Sequence, residues 1–338
     1  MLRWTDSFDH YTTVLQKYDS TAGVTSFVSG RFGSALRLTD ANTPASVYKL
    51  LGASHATWIV GFALNLTADS GANKEIFHLM DGTSSQVYIY YNTGTRTLTL
   101  ANGSGTTLGT TTTGLVVGVW YYVELKVTIG NAAQPFALRI NEAVEITGTG
   151  DTQFTANATA NAINLASGNS IVTSRSRDFD DLYVCDGSGA TNNDYLGDIR
   201  VECLFPNGDG ASSAFVGSDG NSVNNYLLVD ETVPNDDTDY VQGTVVGDKD
   251  TYAYQDLTTT AGSVYGVNII PRHRKADAGG RTAVTVGRES GGTEADSSAI
   301  TILDSYIYNY DIRETKPSGG AWSISEVNGA QFGMKVNT

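Results

Sequence analysis

Alternation of apolar and polar positions dominates the chain and sets its predicted elements. Residues 57–66 give the cleanest case. Trp58, Val60, Phe62, Leu64 and Leu66 point one way, and Ile59, Gly61, Ala63 and Asn65 the other, the two-residue period of a strand. Glu75–Met80 and Gln86–Tyr91 follow as strands on either side of the turn signal Asp81-Gly82. Arg96–Ala101 comes next, then a Thr/Gly loop over 102–114. In Val119–Ile129 the residues Tyr121, Val123, Leu125, Val127 and Ile129 oppose Trp120, Tyr122, Glu124 and Lys126. Phe136, Leu138 and Ile140 form the next apolar face, and Asn141-Glu142 turns the chain into Ala143–Thr147. After a short strand at Ala162–Leu165, Arg177–Asp186 and Asp194–Cys203 read as a strand pair around a Gly/Asn loop. Val264–Ile270, Thr282–Val286 and Ala299–Ile307 are the predicted strands of the last third. No stretch sustains a helical period. Many short strands at this turn density predict an all-β protein of antiparallel sheets packed as a sandwich.

Composition sharpens that picture. Of 338 residues, 40% are hydrophobic but only 17% charged, and Gly, Thr, Ser and Asn fill the difference, as closely spaced turns require. A chain of this length has room for two domains. The cluster Pro206-Asn207-Gly208-Asp209-Gly210 marks the predicted boundary, giving a first domain over 1–205 and a smaller β-rich, sandwich-like domain over 206–338. There are 12 basic against 18 acidic residues up to position 205, and 9 against 18 beyond it. Both halves are acidic, so neither offers the basic footprint of nucleic-acid binding. The basic run Arg272-His273-Arg274-Lys275 reads as a solvated strand end. The most apolar run, 115–129, is broken by Gly118, Glu124 and Lys126, so no membrane insertion is expected. Met1–Asp6 shows no apolar core of an export signal. With two cysteines only, Cys185 and Cys203, the chain uses no disulfide framework.

The search for chemistry yields few candidates. The four histidines, His10, His55, His78 and His273, lack metal-ligand spacing, and no nucleophile elbow or phosphate loop occurs. No catalytic residue or cofactor is expected. Five acids within 230–239 (Asp230, Glu231, Asp236, Asp237 and Asp239) are the one candidate for Ca²⁺. Asp178 and Asp180 share a strand face, but no glutamate follows to complete a glycosidase pattern. Trp120 and Tyr122 share the more polar face of their strand and are the candidate platform for a sugar ring. Tyr306, Tyr308 and Tyr310 alternate and are the candidate protein interface.

Five segments in order resemble the concanavalin A-like, or laminin-G-like, jelly-roll family. They are Asp6-Ser7-Phe8-Asp9, the Gly-rich segment Gly30-Arg31-Phe32-Gly33-Ser34-Ala35-Leu36, and the strand Trp120-Tyr121-Tyr122-Val123-Glu124-Leu125. The hairpin of Phe136 to Glu145, where such domains usually carry Asn-Gly, and Asp180-Asp181-Leu182-Tyr183-Val184 complete the set. The likeness covers about residues 1–205 and implies that fold. Sugar binding, sometimes with Ca²⁺, is common in the family. The whole chain, through Phe205–Gly210, Asn225–Glu231, Asp236–Val241 and Ala321–Lys335, also resembles structural proteins of tailed-bacteriophage virions. That second likeness implies a non-enzymatic component of the particle surface, in a tail, a fibre or a capsid decoration. Such a component is made in the host cytoplasm and contacts other virion proteins as a symmetric homo-oligomer. The alternative expectation is a carbohydrate-binding module for host-surface glycans, and behind it a glycan-cleaving enzyme.

Overall fold

In the computed structural model the described residues are 1–40, 43–67, 73–166 and 175–338. They form two compact units, Met1–Val201 and Glu202–Thr338.

The first unit is an all-β, concanavalin A-like jelly-roll sandwich. Strands β1 (Leu2–Asp6), β2 (Ser20–Ala22), β3 (Val24–Ser29), β4 (Ser34–Asp40) and β5 (Ser46–His55) lead into the central β6 (Thr57–Leu66). Next come β7 (Lys74–Asp81), β8 (Ser84–Asn92), β9 (Thr97–Asn102) and β10 (Thr107–Thr110), the last inside the stretch expected to be loop. The set closes with β11 (Trp120–Thr128), β12 (Gln134–Ile140), β13 (Ala143–Gly150), β14 (Ala160–Ala166) and β15 (Arg175–Asp186). One antiparallel sheet runs β13-β12-β11-β6-β15-β4-β3, with β1 also on β15; the other runs β10-β9-β8-β7-β14-β5-β2.

Between the sheets lie the alternate residues that the sequence pattern marks. Phe62 of the first sheet stacks on Phe77 of the second, ring centroids 5.7 Å apart. Trp58 is fully buried and its indole N–H donates across the gap to the Ala160 carbonyl at 3.1 Å. Full burial of such side chains, at about 25 cal/mol per Å² of apolar surface, is what holds the two layers together. Asn141 and Glu142 both take positive φ, 48° and 67°, the conformation a two-residue hairpin turn demands.

The family-like segments turn out to be joints. Asp6 is a buried hub that binds Lys17 Nζ at 2.8 Å and accepts from the Tyr11 and Tyr18 hydroxyls and the Phe8 amide. Asp9 accepts the Ser34 amide at 2.6 Å. Gly33, at φ 63°, leaves the space that this carboxylate fills, since a Cβ there would collide with it. Asp180 in turn accepts the Arg31 and Phe32 amides, at 2.7 and 3.2 Å. Three segments distant in sequence are thus stitched by carboxylates accepting backbone N–H groups, a charge-assisted bond stronger than a neutral one.

One predicted strand is absent. Asp194–Cys203 forms no strand; residues 194–201 cross the outer face of the first sheet as an irregular strap. Gly197 N donates to Glu124 Oε1 at 2.9 Å, Tyr195 Oη to the Ala137 carbonyl at 2.9 Å, and Val201 N to Asp181 Oδ1 at 2.8 Å. The strap's backbone N–H groups at Gly197 and Val201 therefore bond side chains rather than a neighbouring strand, so its alternating sequence finds no ladder to join.

The second unit holds a six-stranded antiparallel sheet. Its path is Pro206–Ser213, Lys249–Tyr254, Gln331–Val336, Arg281–Arg288 and Glu294–Asp296, with Ile300–Ile302 also on Arg281–Arg288. Trp322 and Phe332, 6.0 Å apart, anchor a small core with Ile269, Val327 and Ala330. Among the described residues no helix is long and apolar enough to cross a membrane.

Candidate functional site

The outward face of the second sheet carries an aromatic and polar row assembled from four strands. Register aligns Tyr48 of β5 with Asn164 of β14, Asn164 with His78 of β7, and His78 with Tyr88 of β8. Residues directly opposite in a ladder share a face, so all four side chains leave the sheet together. At about 4.8 Å per strand the row is roughly 15 Å long. One position along, Glu75 pairs with Tyr90, and Tyr90 with Thr99 of β9.

A bulge builds the centre of this face. Glu75 and His78 are three apart, which in a regular strand puts them on opposite sides. The β7–β8 register slips between Glu75 and Phe77, and Ile76 and Phe77 are both fully buried. The extra residue re-aims Glu75 to the outside, where its Oε2 receives His78 Nε2 at 3.0 Å. His78 Nδ1 meets Ser85 Oγ at 3.0 Å. The imidazole lies parallel to the Tyr88 ring, at 5.2 Å and 15°, and Tyr88 leans on Tyr90 at 5.9 Å. Burial, then the nearby Glu75 charge, raises the Tyr88 phenol above its ordinary value, so it stays protonated and able to donate. Tyr48 is fixed by its hydroxyl on the Gly82 carbonyl at 2.8 Å. Among the described residues the buried Asn164 Oδ1 has no hydrogen-bond partner. Asn73, Glu75, Tyr88 and Tyr90 line a depression of about 210 Å³ on the same face.

The residues singled out from sequence lie elsewhere. Tyr122 does point outward from the first sheet, but the strap covers that face. It is buried, donates its hydroxyl to the Asp181 carbonyl at 3.0 Å, stacks on Tyr183 and carries the Arg31 guanidinium over its ring. It offers no platform, and Trp120 beside it is half-buried. Asp178 is held by a two-pronged bond to Arg37, both distances 2.7 Å, and Asp180 is spent on backbone amides. In the second unit Tyr308 is buried, Tyr306 lies under Arg272 and Arg274 with its hydroxyl on Asp237, and Tyr310 is half-buried. The three do not form one exposed strip. The acids of 230–239 meet the basic run. Asp236 binds Arg272 at 2.6 and 2.8 Å, Asp237 binds Arg274 at 2.7 Å, and Glu231 and Asp239 accept from Asn235. Among the described residues no group of three or more His, Cys, Asp or Glu side chains is arranged to hold a metal.

The carboxylates beneath the strap give a pH dependence with a definite sign. Burial, helped by the charge of Asp181, pushes Asp180 up to about 7, and burial pushes Asp181 up to about 6. Raised groups bind their protons more tightly in the folded state. Their contribution is complete below about pH 4 and is lost progressively as pH rises through the folded values near 6 and 7. Asp186 and Glu202 are held low against burial by hydrogen bonds, to Ser188 and Arg3 and to Thr259 and Thr258 respectively. Their contribution is lost as pH falls below about 4. In urea unfolding Asp180→Asn is expected to gain on the parent as pH rises from about 4 to about 7, because the asparagine has no proton to lose. A difference between the two proteins that stays constant over that range overturns the assignment.

No protein-family model matches this sequence, and no curated protein matches it. Solved structures do. An endo-β-1,4-glucuronan lyase from the fungus Trichoderma reesei aligns with 54% of this chain and 95% of its own, at 14% identity and a TM-score of 0.44. The alginate lyase Aly36B aligns over 54% and 94%, at 9% identity and 0.40. The cellulose-induced protein Cip1 aligns over 59% and 99%, at 13% identity and 0.42. At such identities the likeness concerns the fold. The expectation of a non-enzymatic virion component acting through protein contacts is corrected on this finding: structures of similar fold include polysaccharide lyases. The expectation that the chain is not an enzyme is withdrawn with it.

Proposed function

We propose that the jelly-roll unit binds a glycan strand along the outward face of its second sheet. The observation that carries the reading is the cross-strand row Tyr48–Asn164–His78–Tyr88. Sugar rings present apolar C–H faces and a rim of hydroxyls. Tyrosine rings supply apolar surface with a polar tip, and the Glu75 carboxylate supplies an acceptor for hydroxyl donors. Few convergent polar groups on an aromatic floor are the usual makeup of a small-molecule site.

A second reading, cleavage of the bound glycan, is favoured by the stacked His78–Tyr88 pair. The Tyr88 phenol keeps its proton at neutral pH, although its raised value makes it a weaker acid than an ordinary tyrosine, and proton transfer from a placed side chain contributes about 10²–10⁴-fold to such reactions. As placed, both ring nitrogens of His78 are engaged, so a basic role for it requires one of those bonds to open.

The test uses the full chain on a glycan array and in a degradation assay. The double variant Tyr88→Ala, Tyr90→Ala is expected to weaken glycan binding at least about tenfold, the loss of roughly 1.4 kcal/mol, with unchanged circular dichroism. A folded double variant that binds as the parent does overturns the reading. For cleavage, Tyr88→Phe is expected to keep binding and lose the new reducing ends. Product formation that survives this variant retires the second reading.

A further inference from the structure

The charge distribution of the face says which glycans it suits, provided that it binds glycans at all. Its outward positions on β5, β14, β7, β8 and β9 include Tyr48, Asn164, His78, Tyr88, Tyr90 and Thr99. One carboxylate stands among them, Glu75, at the wall of the depression, with its side chain 24% exposed; a second, Asp19, lies beside Tyr48 at the edge of the row, where it is paired with Lys49 at 3.6 Å. Among the described residues these outward positions carry no lysine or arginine. Lys74, adjacent to Glu75, is buried on the inward side of the sheet, and Arg96 belongs to the turn beyond the ends of β8 and β9.

We propose that this face selects uncharged, hydroxyl-rich glycans over polyuronates, and that Glu75 sets the choice. An ionised carboxylate only accepts hydrogen bonds. Sugar hydroxyls donate to it, whereas the carboxylate of a uronic acid brings a like charge and no proton. A polyuronate places one such charge on every sugar unit, so a strand lying along a row of roughly 15 Å cannot keep them all away from Glu75. Repulsion at about 5 Å across a half-buried surface amounts to about a tenfold loss of affinity per close charge. The side chain is also pinned, because His78 and the bulge beneath it hold the carboxylate at the surface. The choice is therefore built into the backbone of β7. This sets the chain apart from the structures of similar fold that act on glucuronan and alginate.

Calorimetric titration of the full chain tests the idea. Neutral β-glucan, xylan and mannan oligosaccharides are compared with alginate and polyglucuronate oligosaccharides of matched length. The neutral set is expected to bind at least about tenfold more tightly at low salt. Added salt is expected to narrow the gap, because screening shortens the reach of exposed charge to about 10 Å at 0.1 M. Glu75→Gln is expected to raise uronate affinity about tenfold, closing most of the difference. The salt titration of the unaltered protein tests the selectivity, and the variant tests whether Glu75 sets it. Uronate oligosaccharides binding as tightly as neutral ones overturns the selectivity and leaves the glycan reading standing. Failure of both sets to bind sinks the glycan reading itself.

Discussion

Replacing Asp6 by alanine is expected to destabilise the jelly-roll unit by about 3–5 kcal/mol, a large share of the roughly 5–15 kcal/mol that holds a domain folded. The side chains of Lys17 and Asp6 are both wholly buried, with the ammonium 2.8 Å from the carboxylate. The same ammonium sits 5.3 Å from the Trp4 ring centroid and 5.1 Å from that of Tyr11. Burial by itself raises the Asp6 carboxyl, and Lys17 and the Phe8 amide more than reverse this and hold it below its usual range. Burial and the neighbouring Lys17 charge push His10 down to about 3, so His10 stays neutral. Alanine at position 6 would strand a buried cation and leave two tyrosine hydroxyls and an amide without their acceptor. Asp6→Asn keeps an acceptor but not the charge and should fall between. Lys126→Ala, which breaks the exposed pair with Asp194, should cost less than about 1 kcal/mol. Urea unfolding of the three variants checks the order. An Asp6→Ala protein within about 1 kcal/mol of the parent would show that the hub is not what ties the first strand down.

How much of this was legible in the sequence depends on whether its cause was local. The strand of residues 57–66 was readable to the residue, because β6 lies between two neighbours and both its faces obey the period. The fold of the first unit followed from such segments. Tyr122 was correctly assigned to the polar side of its strand. Its burial was not readable, since what covers it is the strap, more than seventy residues later in the chain. The strap alternates like a strand without being one, because alternation describes side chains and says nothing of whether a partner strand is available. The face of the second sheet was missed for two reasons. Tyr48, His78, Tyr88 and Asn164 are adjacent only through register, which no single segment contains. The bulge at Glu75–Phe77 also breaks the period that would have placed Glu75 beside His78. One signal was available. Tyr88 and Tyr90 alternate with Val87, Ile89 and Tyr91, which marks two aromatics on the side away from the core.

A second buried charge pair, in the stretch most resembling a family marker, yields the other large effect. Arg177 opens the run that ends at Asp186, and it pairs in register with Leu38 and Leu66. It therefore points inward, among residues that are themselves fully buried. Its guanidinium lies 2.6 Å from Asp40 Oδ2, and Asp40 Oδ1 accepts the Ala45 amide at 3.2 Å. Neither side chain is more than 3% exposed. Asp40→Ala is expected to cost about 3–5 kcal/mol, since the attraction that offset the desolvation of Arg177 is gone while the desolvation remains. The double variant Asp40→Leu, Arg177→Met is expected to cost less than the single one, because it removes both charges and keeps most of the volume. Unfolding free energies of the single and double variants separate the two contributions. A double variant at least as unstable as Asp40→Ala would mean that the pair contributes stability outright rather than cancelling its own burial. The expected order assigns this charged pair to fixing β4 against β15 in the first sheet.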